Sequence, residues 1–394
     1  MTGSVVVLGS SRTPIGSFQG DLSALTAAQL GAAAIQTAVA RSGILGAGVD
    51  EVIMGCVLTA GQGQAPSRQA TIAAGLGVGT PATTVNKMCG SGMVAVMMAY
   101  DSLHVRPDAV FVAGGMESMS NAPYLLPKAR TGLRLGHGAI IDHIFLDGLE
   151  DAYESGRLMG TFAEDAAAAY RLDRSEQDAY ALASLTRALD AVKSGAFARE
   201  IVPMEVPTKV GARTITADEQ PAKARPERIP TLKPAFSADG TVTAANSSSI
   251  SDGAAALVLT TEGRANKLEV TPRARIVATS RFAQEPAKFT SAPVEAIRRV
   301  LTAAQWRRDQ VDLFEINEAF AVVPMIAMRE LELPHEKVNV NGGACALGHP
   351  IGASGARILV TLLEALEARR LTKGVAAICI GGGEATAVAL ERLI

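Results

Sequence analysis

The chain has 394 residues, 48% hydrophobic and 19% charged, so it is too apolar to be disordered and too long for one small core. Its formal net charge of −2 argues against nucleic acid or an anionic membrane as the main partner. The four cysteines are too few for a disulfide framework and lack zinc-site spacing, so we predict no metal site. Without a signal sequence or a run of ~20 apolar residues, we expect a cytoplasmic protein that does not enter the membrane.

Short Val/Ile/Ala runs alternate with Ala/Leu-rich segments in the first part of the chain. The predicted elements are a strand at Val5–Leu8, a helix at Thr26–Ser42, an extended segment at Ala82–Val85, a helix at Ser91–Arg106 and a strand at Ala109–Ala113. This alternation indicates an α/β fold with buried parallel strands.

Residues 120–245 differ in character, because prolines and charges are frequent there. They contain two predicted helices, Thr161–Tyr170 and Arg174–Ser194, and we interpret them as an inserted loop domain. The segment from Lys209 to Lys233 carries six Lys/Arg against three acids, a local charge of +3. It is either a solvated polar loop or a landing site for a phosphorylated ligand, and the sequence leaves both open.

The last part of the chain repeats the element order of the first. A strand at Ser251–Thr260 returns to the first half, and the following elements are strands at Leu313–Ile316 and Val338–Val340, a helix at Ala353–Ala368 and a strand at Val375–Ile380. Both halves contain Val-Asn, a glycine turn, a helix and an apolar strand capped by glycines, which predicts a duplication with a period of roughly 120 residues. The predicted domains are therefore residues 1–119 with 246–270, residues 120–245, and residues 271–394.

Three glycine-rich turns carry reactive side chains: Cys89 in NKMCGSGM, His349 in GGACALGHPIGASGAR and Cys379 in CIGGGEATA. At the mouth of a helix, Cys89 should have a lowered pKa, and its N–H group can stabilise an oxyanion. An isolated cysteine is more often a small buried hydrophobe, but the glycines and the polar Asn86 and Lys87 favour a reactive thiol here.

The remaining candidates divide the chemistry between two stages. His349 can take a proton from Cys89 or donate a hydrogen bond to an enolate oxygen. Cys379, at a strand end, can act as a general base if its pKa is tuned toward the working pH, with Gly381 as a further oxyanion donor. Asn317, in EINEAF, can anchor a water or orient a histidine. One sulfur is thus predicted to carry an acyl group while the other moves a proton.

Eight segments together resemble the signature segments of the thiolases, and they span essentially the whole chain: VVVLGSSRTPIG, GQGQAPSRQA, NKMCGSGM, GGMESMS, NSSSISDGAAALVL, NEAFA, GGACALGHPIGASGAR and CIGGGEATA. The resemblance implies the thiolase fold, with two similar βαβαβαββ halves in a five-layered αβαβα arrangement and a loop domain between them. It also implies coenzyme A thioesters as substrates, no cofactor beyond coenzyme A as substrate or product, and a homotetramer built as a dimer of dimers.

The same resemblance implies roles for individual residues. Cys89 would be the acylated nucleophile, and Cys379 the acid/base at the substrate α-carbon. His349 would activate Cys89 and form one oxyanion hole with a water held by Asn317, while the N–H groups of Cys89 and Gly381 would form the second. The residues implied to contact the substrate or its pantetheine arm are Ser248, Phe236, Ala244, Met159, Phe320 and Leu149.

Two positions depart from the family pattern. The HMG segment common in acetoacetyl-CoA thiolases is RLMG here, so Leu158 replaces the histidine. A basic residue often found near the adenine is also missing from DEQPAKARPE, where Lys223 or Arg225 is the predicted substitute. Both departures affect the predicted acyl chain length and nucleotide contacts rather than the reaction class.

The resemblance implies a transferase that reversibly condenses two acetyl-CoA to acetoacetyl-CoA and CoA. The alternative within the family is a broad-specificity 3-ketoacyl-CoA thiolase of fatty-acid degradation. A decarboxylating condensing enzyme ranks lower, because such enzymes pair their cysteine with two histidines and this chain has Cys379 and Asn317 in those places. A non-catalytic, thiolase-like lipid-binding protein is the remote alternative, since the reactive residues are all present.

Overall fold

The computed structural model describes residues 3–44, 48–209 and 211–393. The strands are β1 Val5–Arg12, β2 Gly16–Ser17, β3 Glu51–Gly55, β4 Ala82–Val85, β5 Phe111–Ser118, β6 Tyr124–Leu125, β7 Ile141–Asp142, β8 Met204–Thr208, β9 Gly211–Ile215, β10 Ser251–Thr261, β11 Ala274–Ala283, β12 Leu313–Ile316, β13 Lys373–Ile380 and β14 Glu384–Arg392. The α-helices are α1 Ala27–Arg41, α2 Pro66–Ala73, α3 Ser91–Val105, α4 Met159–Tyr170, α5 Arg174–Ser194, α6 Glu219–Lys223, α7 Glu262–Lys267, α8 Ala292–Ala304, α9 Val322–Glu330, α10 Ala344–Leu347 and α11 Ser354–Arg369.

The predicted ends of the first helix mark real caps. Thr26 is the N-cap of α1, where its hydroxyl accepts from the backbone N–H of Gln29 while the Gln29 side chain accepts from the N–H of Thr26. Ser42 is the C-cap. Asp173 and Glu176 form the same reciprocal pair at the start of α5. Each pair satisfies two backbone donors that a helix start leaves free, so these helices begin where the sequence predicts.

The main sheet joins both halves of the chain in one hydrogen-bonded network. Its order is β12–β13–β14–β11–β1–β10–β5–β3–β4, and β2 pairs with β10. The pairs β3–β4, β3–β5 and β12–β13 are parallel, but the other neighbours in this sheet are antiparallel, so the expectation of parallel strands holds only in part. The cause is visible at β13–β14: the positive φ of Gly382 and Gly383 allows a tight reversal, and a tight reversal makes neighbouring strands antiparallel.

The strand order confirms the predicted duplication. Outward from the seam between β1 and β11, one half runs β1–β10–β5–β3–β4 and the other β11–β14–β13–β12. Val338 then bridges Phe314 of β12 in parallel, as β4 pairs with β3. The predicted strand at Val338–Val340 is wrong beyond this single bridge. Asn339 has a φ of 48° and bonds through its side chain to the backbone of Ile316, which ends the extended conformation.

The helices cover both faces of the sheet of each half, which gives five layers of helices and strands. Helices α1 and α2 cover the outer face of the first half's sheet, and α8 and α9 cover that of the second half. Helices α3 and α11 lie between the two halves and pack against each other. A Cβ on Gly355 would lie only 2.5 Å from the backbone N of Met93, so glycine permits this close helix crossing.

A buried ionic cluster fastens the inserted segment to β1. Arg12 is fully buried, and its Nε lies 2.6 Å from Glu200 Oε1 while its Nη1 and Nη2 lie 2.7 and 2.9 Å from the Asp218 carboxylate. The two carboxylates raise the pKa of the guanidinium against the effect of burial, so it stays charged.

In the described part of the chain, no helix is long and apolar enough to cross a bilayer.

Replacing Arg12 with alanine leaves Glu200 and Asp218 buried without their cation. We expect a loss of about 3–5 kcal/mol in the free energy of unfolding and earlier proteolytic cleavage within residues 195–220. Urea denaturation and limited proteolysis measure both effects. Arg307→Ala, which removes an exposed pair with Asp309, is the matched control and should change neither. An Arg12→Ala protein as stable as the control would contradict the role assigned to this cluster.

Candidate active site

Cys89 lies in a tight turn between β4 and α3, one residue before the N-cap Gly90. The turn is held by its own side chains: Asn86 Oδ1 accepts from the N–H of Met88, and Ser91 Oγ accepts from the N–H of Lys87 and donates to the carbonyl of Met88. Met88 has a φ of 49°, a left-handed conformation that is costly for a residue with a side chain. The sulfur is therefore held in place by a constrained backbone.

The turn of Cys89 contacts the turn that follows β13. A Cβ on Gly90 would lie 2.9 Å from Ile380 Cγ1, so glycine is needed for this approach. Against the larger effect of burial, the backbone N–H groups of Gly381 and of Cys89 itself lower the pKa of the Cys89 thiol, so they lie near its sulfur. Cys379 is buried at the end of β13, close enough for the charge of Cys89 to influence its ionisation. The two thiols, far apart in sequence, thus lie side by side.

The ring of His349 is oriented by Ser354, whose Oγ lies 2.6 Å from Nδ1 and also donates to the carbonyl of Pro350. Because the hydroxyl proton is used on that carbonyl, the hydroxyl oxygen accepts from Nδ1–H. Nε2 is then the unprotonated nitrogen, and it forms no hydrogen bond with any described residue. The backbone N–H of His349 donates to the carbonyl of Ser249, 3.0 Å away, which fixes the turn.

Asn317 follows β12 and is completely buried. Its backbone N–H donates to the carbonyl of Ala377 in β13, but neither atom of its side-chain amide is hydrogen-bonded within the described parts of the chain. An unpartnered buried polar group costs about 1–3 kcal/mol, so its presence calls for an explanation in function.

A cavity of about 470 Å³ opens over Cys89 and His349. It is also lined by Gly381 and by all six residues predicted to contact the substrate or its pantetheine arm, Ser248, Phe236, Ala244, Met159, Phe320 and Leu149. Leu158, at the position that departs from the family pattern, lines it as well. Asn317 and Cys379 lie behind the lining, in the protein interior.

Sequence reasoning missed several lining residues. They include Met88, Phe145, Gly160, Phe289 and Ile351. Met88 and Ile351 adjoin predicted residues, so the reactive turns themselves could have indicated them. Phe289 gave no such signal, because it reaches the cavity by packing its ring edge-on against Phe320, with 6.5 Å between ring centroids.

Lys223 and Arg225 line a different cavity, of about 370 Å³, which they share with Arg228. The two cavities are neighbours, since Ala244 lines both. Lys223 forms an ion pair with Glu219, and Arg213 pairs with Asp21. Part of the local positive charge predicted for this segment is therefore neutralised within the fold.

Burial reverses the predicted pKa shift of Cys89. It raises the pKa of Cys89 to about 11, against the smaller opposite effect of the N–H groups of Gly381 and Cys89. The expectation of a lowered Cys89 pKa is therefore wrong, because the desolvation of the thiolate outweighs the donors at the helix mouth. Burial, with the neighbouring Cys89, also raises the pKa of Cys379 well above its ordinary value, so the resting thiol does not meet the condition stated for it as a general base.

Burial also favours the neutral form of the imidazole of His349. Burial and the charge of Arg357 lower the pKa of His349 to about 3. At neutral pH the resting site thus holds neutral thiols beside a neutral imidazole, and Nε2 is able to accept a proton.

Among the described residues, no group of three or more His, Cys, Asp or Glu side chains is arranged to hold a metal ion.

This charge state predicts how the ligand-free protein reacts with iodoacetamide. Because the pKa of Cys89 is about 11, its alkylation rate should rise about tenfold per pH unit between pH 6 and 9. Mass spectrometry of the Cys89 peptide at several pH values measures this rate. A rate that levels off near pH 7 would show a thiolate–imidazolium pair in the resting site and contradict the burial argument.

Comparison with known proteins gives the following relationships. Residues 5–263 match the family model described as thiolase, N-terminal domain, and residues 270–392 match thiolase, C-terminal domain. The chain is 48% identical over 390 residues to an acetyl-CoA acetyltransferase of Pseudomonas aeruginosa, covering 98% of this chain and 99% of that protein. It is 49% identical over 391 residues to acetyl-CoA acetyltransferase B, mitochondrial, of Xenopus laevis, covering 99% and 92%.

Two crystal structures have the same fold. The acetyl-CoA acetyltransferase of Bacillus anthracis superposes with a TM-score of 0.96 at 41% identity, covering 100% of this chain and 99% of that one. A thiolase from Ascaris suum in complex with coenzyme A superposes with a TM-score of 0.93 at 41% identity, covering 99% and 100%.

Proposed function

The chain belongs to the thiolase family, and we propose that it is an acetyl-CoA C-acetyltransferase, an acyltransferase that joins two acetyl-CoA into acetoacetyl-CoA and CoA and also runs the reverse thiolysis. The observation that carries the proposal is the cavity of about 470 Å³ that Cys89 and His349 line together, with Cys379 buried near Cys89.

In the first stage the Cys89 sulfur attacks the thioester carbonyl of acetyl-CoA. Because Cys89 and His349 are both neutral before the reaction, the S–H proton of Cys89 passes to His349 Nε2 as the new C–S bond forms. The bond to the coenzyme A sulfur breaks, and His349 returns the proton to that sulfur, so CoA leaves as a thiol. The energy of the thioester is retained in the acetyl group on Cys89, which splits one difficult condensation into two easier steps.

In the second stage Cys379 gives its S–H proton to His349 Nε2, which is neutral again after CoA has left, and the Cys379 thiolate takes a proton from the methyl carbon of a second acetyl-CoA. The resulting carbanion attacks the acetyl carbonyl on Cys89, a C–C bond forms, and the Cys89–acyl bond breaks. His349 Nε2–H reprotonates Cys89, Cys379 remains a neutral thiol with the proton it took from the methyl carbon, and acetoacetyl-CoA leaves. A carbanion beside a thioester needs both a base and oxyanion donors, and removal of one donor typically costs about 10²–10³ in rate.

Two sets of donors support these oxyanions in our proposal. The N–H groups of Cys89 and Gly381 converge on the reactive sulfur and would bind the oxyanion of the acyl intermediate. His349 Nε2–H, once protonated, and a water on the unpartnered amide of Asn317 would bind the enolate oxygen. Because these groups are already buried, little reorganisation is needed when charge develops.

The pantetheine arm of acetyl-CoA or CoA would lie in the apolar cavity beside Ser248. Its nucleotide end would lie toward Lys223 and Arg225, because their cavity adjoins the first at Ala244. Coenzyme A enters and leaves as substrate and product, and the proposed chemistry uses no other cofactor.

We also infer a homotetramer in the cytoplasm. The segment between β6 and α4 exposes large apolar side chains, among them Leu135 at 98% exposure and Ile140 at 68%. Exposed apolar groups of this density are typical of surfaces that a partner subunit covers.

The free thiols of Cys89 and Cys379 fit a reducing compartment such as the cytoplasm.

Replacing each thiol separates the two stages. Cys89→Ala should abolish acetyl transfer from acetyl-CoA to the protein while the fold persists. Cys379→Ala should still be acetylated, but it should not exchange the α-protons of acetyl-CoA with solvent. Intact-protein mass spectrometry and NMR in D₂O measure the two properties. Normal α-proton exchange by Cys379→Ala would exclude it as the base.

The chain length of the substrate tests the proposed activity directly. We expect thiolysis of acetoacetyl-CoA with free CoA to be faster than thiolysis of longer 3-ketoacyl-CoAs, as read from thioester absorbance. A strong preference for long chains would instead favour the broad-specificity 3-ketoacyl-CoA thiolase. A wild-type protein that is never acetylated would favour a lipid-binding role.

A further inference from the structure

Two fully buried carboxylates, Glu117 and Glu318, bind the backbone on either side of His349. Neither lines the cavity of Cys89, and neither forms an ion pair with a described residue. Most of the other carboxylates of comparable burial form an ion pair, as Glu200 does with Arg12. A carboxylate without a cation is costly to bury, so its hydrogen-bond donors decide what it contributes.

Glu318 holds the chain before His349. Its carboxylate accepts from the N–H of Cys345 at 3.0 Å, four residues before the histidine. It also accepts from Asn339 Nδ2 at 2.8 Å and from the hydroxyls of Tyr180 and Ser184 at 2.9 and 2.8 Å. Tyr180 and Ser184 belong to α5, so Glu318 connects the His349 segment to the inserted loop domain as well as to β12.

Glu117 holds the chain after His349. At the end of β5, its carboxylate accepts from the N–H of Gly352 at 2.9 Å, three residues after the histidine. It also accepts from the N–H groups of Val57 and Leu58 at 3.0 and 3.2 Å, in the loop that follows β3. Burial raises the pKa of this carboxyl to about 7, and the three N–H groups oppose that shift.

Both contacts depend on a glycine in the His349 segment. A Cβ on Gly352 would lie 2.6 Å from Glu117 Oε2, and a Cβ on Gly343 would lie 2.6 Å from Glu318 Oε2. A side chain at either position would push the carboxylate away from the backbone it binds. Two of the glycines in GGACALGHPIGASGAR are therefore explained by their approach to a buried carboxylate.

We propose that Glu117 and Glu318 are positioning residues that hold segment 343–352 from both sides and so direct His349 Nε2 toward Cys89. The proposal rests on the function of His349 proposed above. Ser354 fixes the rotation of the ring, and the two carboxylates fix the backbone that carries it. Hydrogen bonds to a charged acceptor are about twice as strong as neutral ones, which suits a segment that must keep its place through proton transfer.

An amide does not replace the carboxylate at Glu117. The groups that face it at hydrogen-bond distance are donors: three backbone N–H groups and the thiol of Cys56. In Glu117→Gln, either orientation of the amide points its NH₂ group at a backbone N–H. Around Glu318, the hydroxyls of Tyr180 and Ser184 can rotate to accept, so Glu318→Gln is the milder change.

The test is steady-state kinetics on Glu117→Gln and Glu318→Gln in the full-length enzyme, expressed per active site that iodoacetamide can titrate. We expect kcat for acetoacetyl-CoA thiolysis to fall about 10–100-fold, more for Glu117→Gln than for Glu318→Gln, with KM changed less than about threefold. The double variant should lose less than the product of the two single losses, because both changes release one segment.

Gly343→Ala disturbs the same contact from the backbone side and should also lower kcat. Glu200→Gln, a buried carboxylate outside segment 343–352, is the matched control and should keep the wild-type kcat per site even if its melting temperature falls. If either glutamine variant fails to fold, the other and Gly343→Ala decide the question by the same measurement.

Wild-type kcat per titrated site in the folded variants, with only the melting temperature lowered, would overturn the proposal and leave both residues structural. That result differs from failure of the proposed function, in which the wild-type enzyme is not acetylated by acetyl-CoA at all.

Discussion

Close approach of three glycine-containing turns brings the reactive groups of this protein together. Without a Cβ on Gly90, the turn of Cys89 packs against Ile380, and the N–H of Gly381 lies near the sulfur. The same approach excludes water from the thiols and the imidazole, and this desolvation sets their charge states. Geometry and electrostatics of the site thus have one origin, because a backbone that comes close enough to donate hydrogen bonds also buries what it contacts.

Much of the fold could be predicted from local sequence. The predicted bounds of the first helix coincide with its caps, Thr26 and Ser42, and the repeat of Val-Asn, glycine turn, helix and strand predicted two similar halves. The strand at Val338–Val340 could not be read correctly, because it is interrupted by a hydrogen bond from Asn339 to Ile316, a residue distant in sequence. Strand direction was likewise decided by the turn after β13, whose geometry an apolar pattern does not specify.

The candidate site was predicted residue by residue but not in its energetics. The placement of Cys89, His349 and Ser248 around one cavity agrees with the resemblance, whereas the sign of the Cys89 pKa shift does not. A helix mouth is visible in sequence, but the depth of burial depends on what the rest of the chain packs above it. Phe289 illustrates the same limit, since it enters the cavity wall only through contact between two distant rings.

The seam at which Val5, Val6 and Val7 of β1 pair with Ile276, Arg275 and Ala274 of β11 has a consequence for motion. Hydrogen-bonded ladders join neighbouring strands from β4 to β12, so relative motion of the two halves must bend one continuous sheet. The cavity over Cys89 and His349 is thus formed between elements that this one sheet connects.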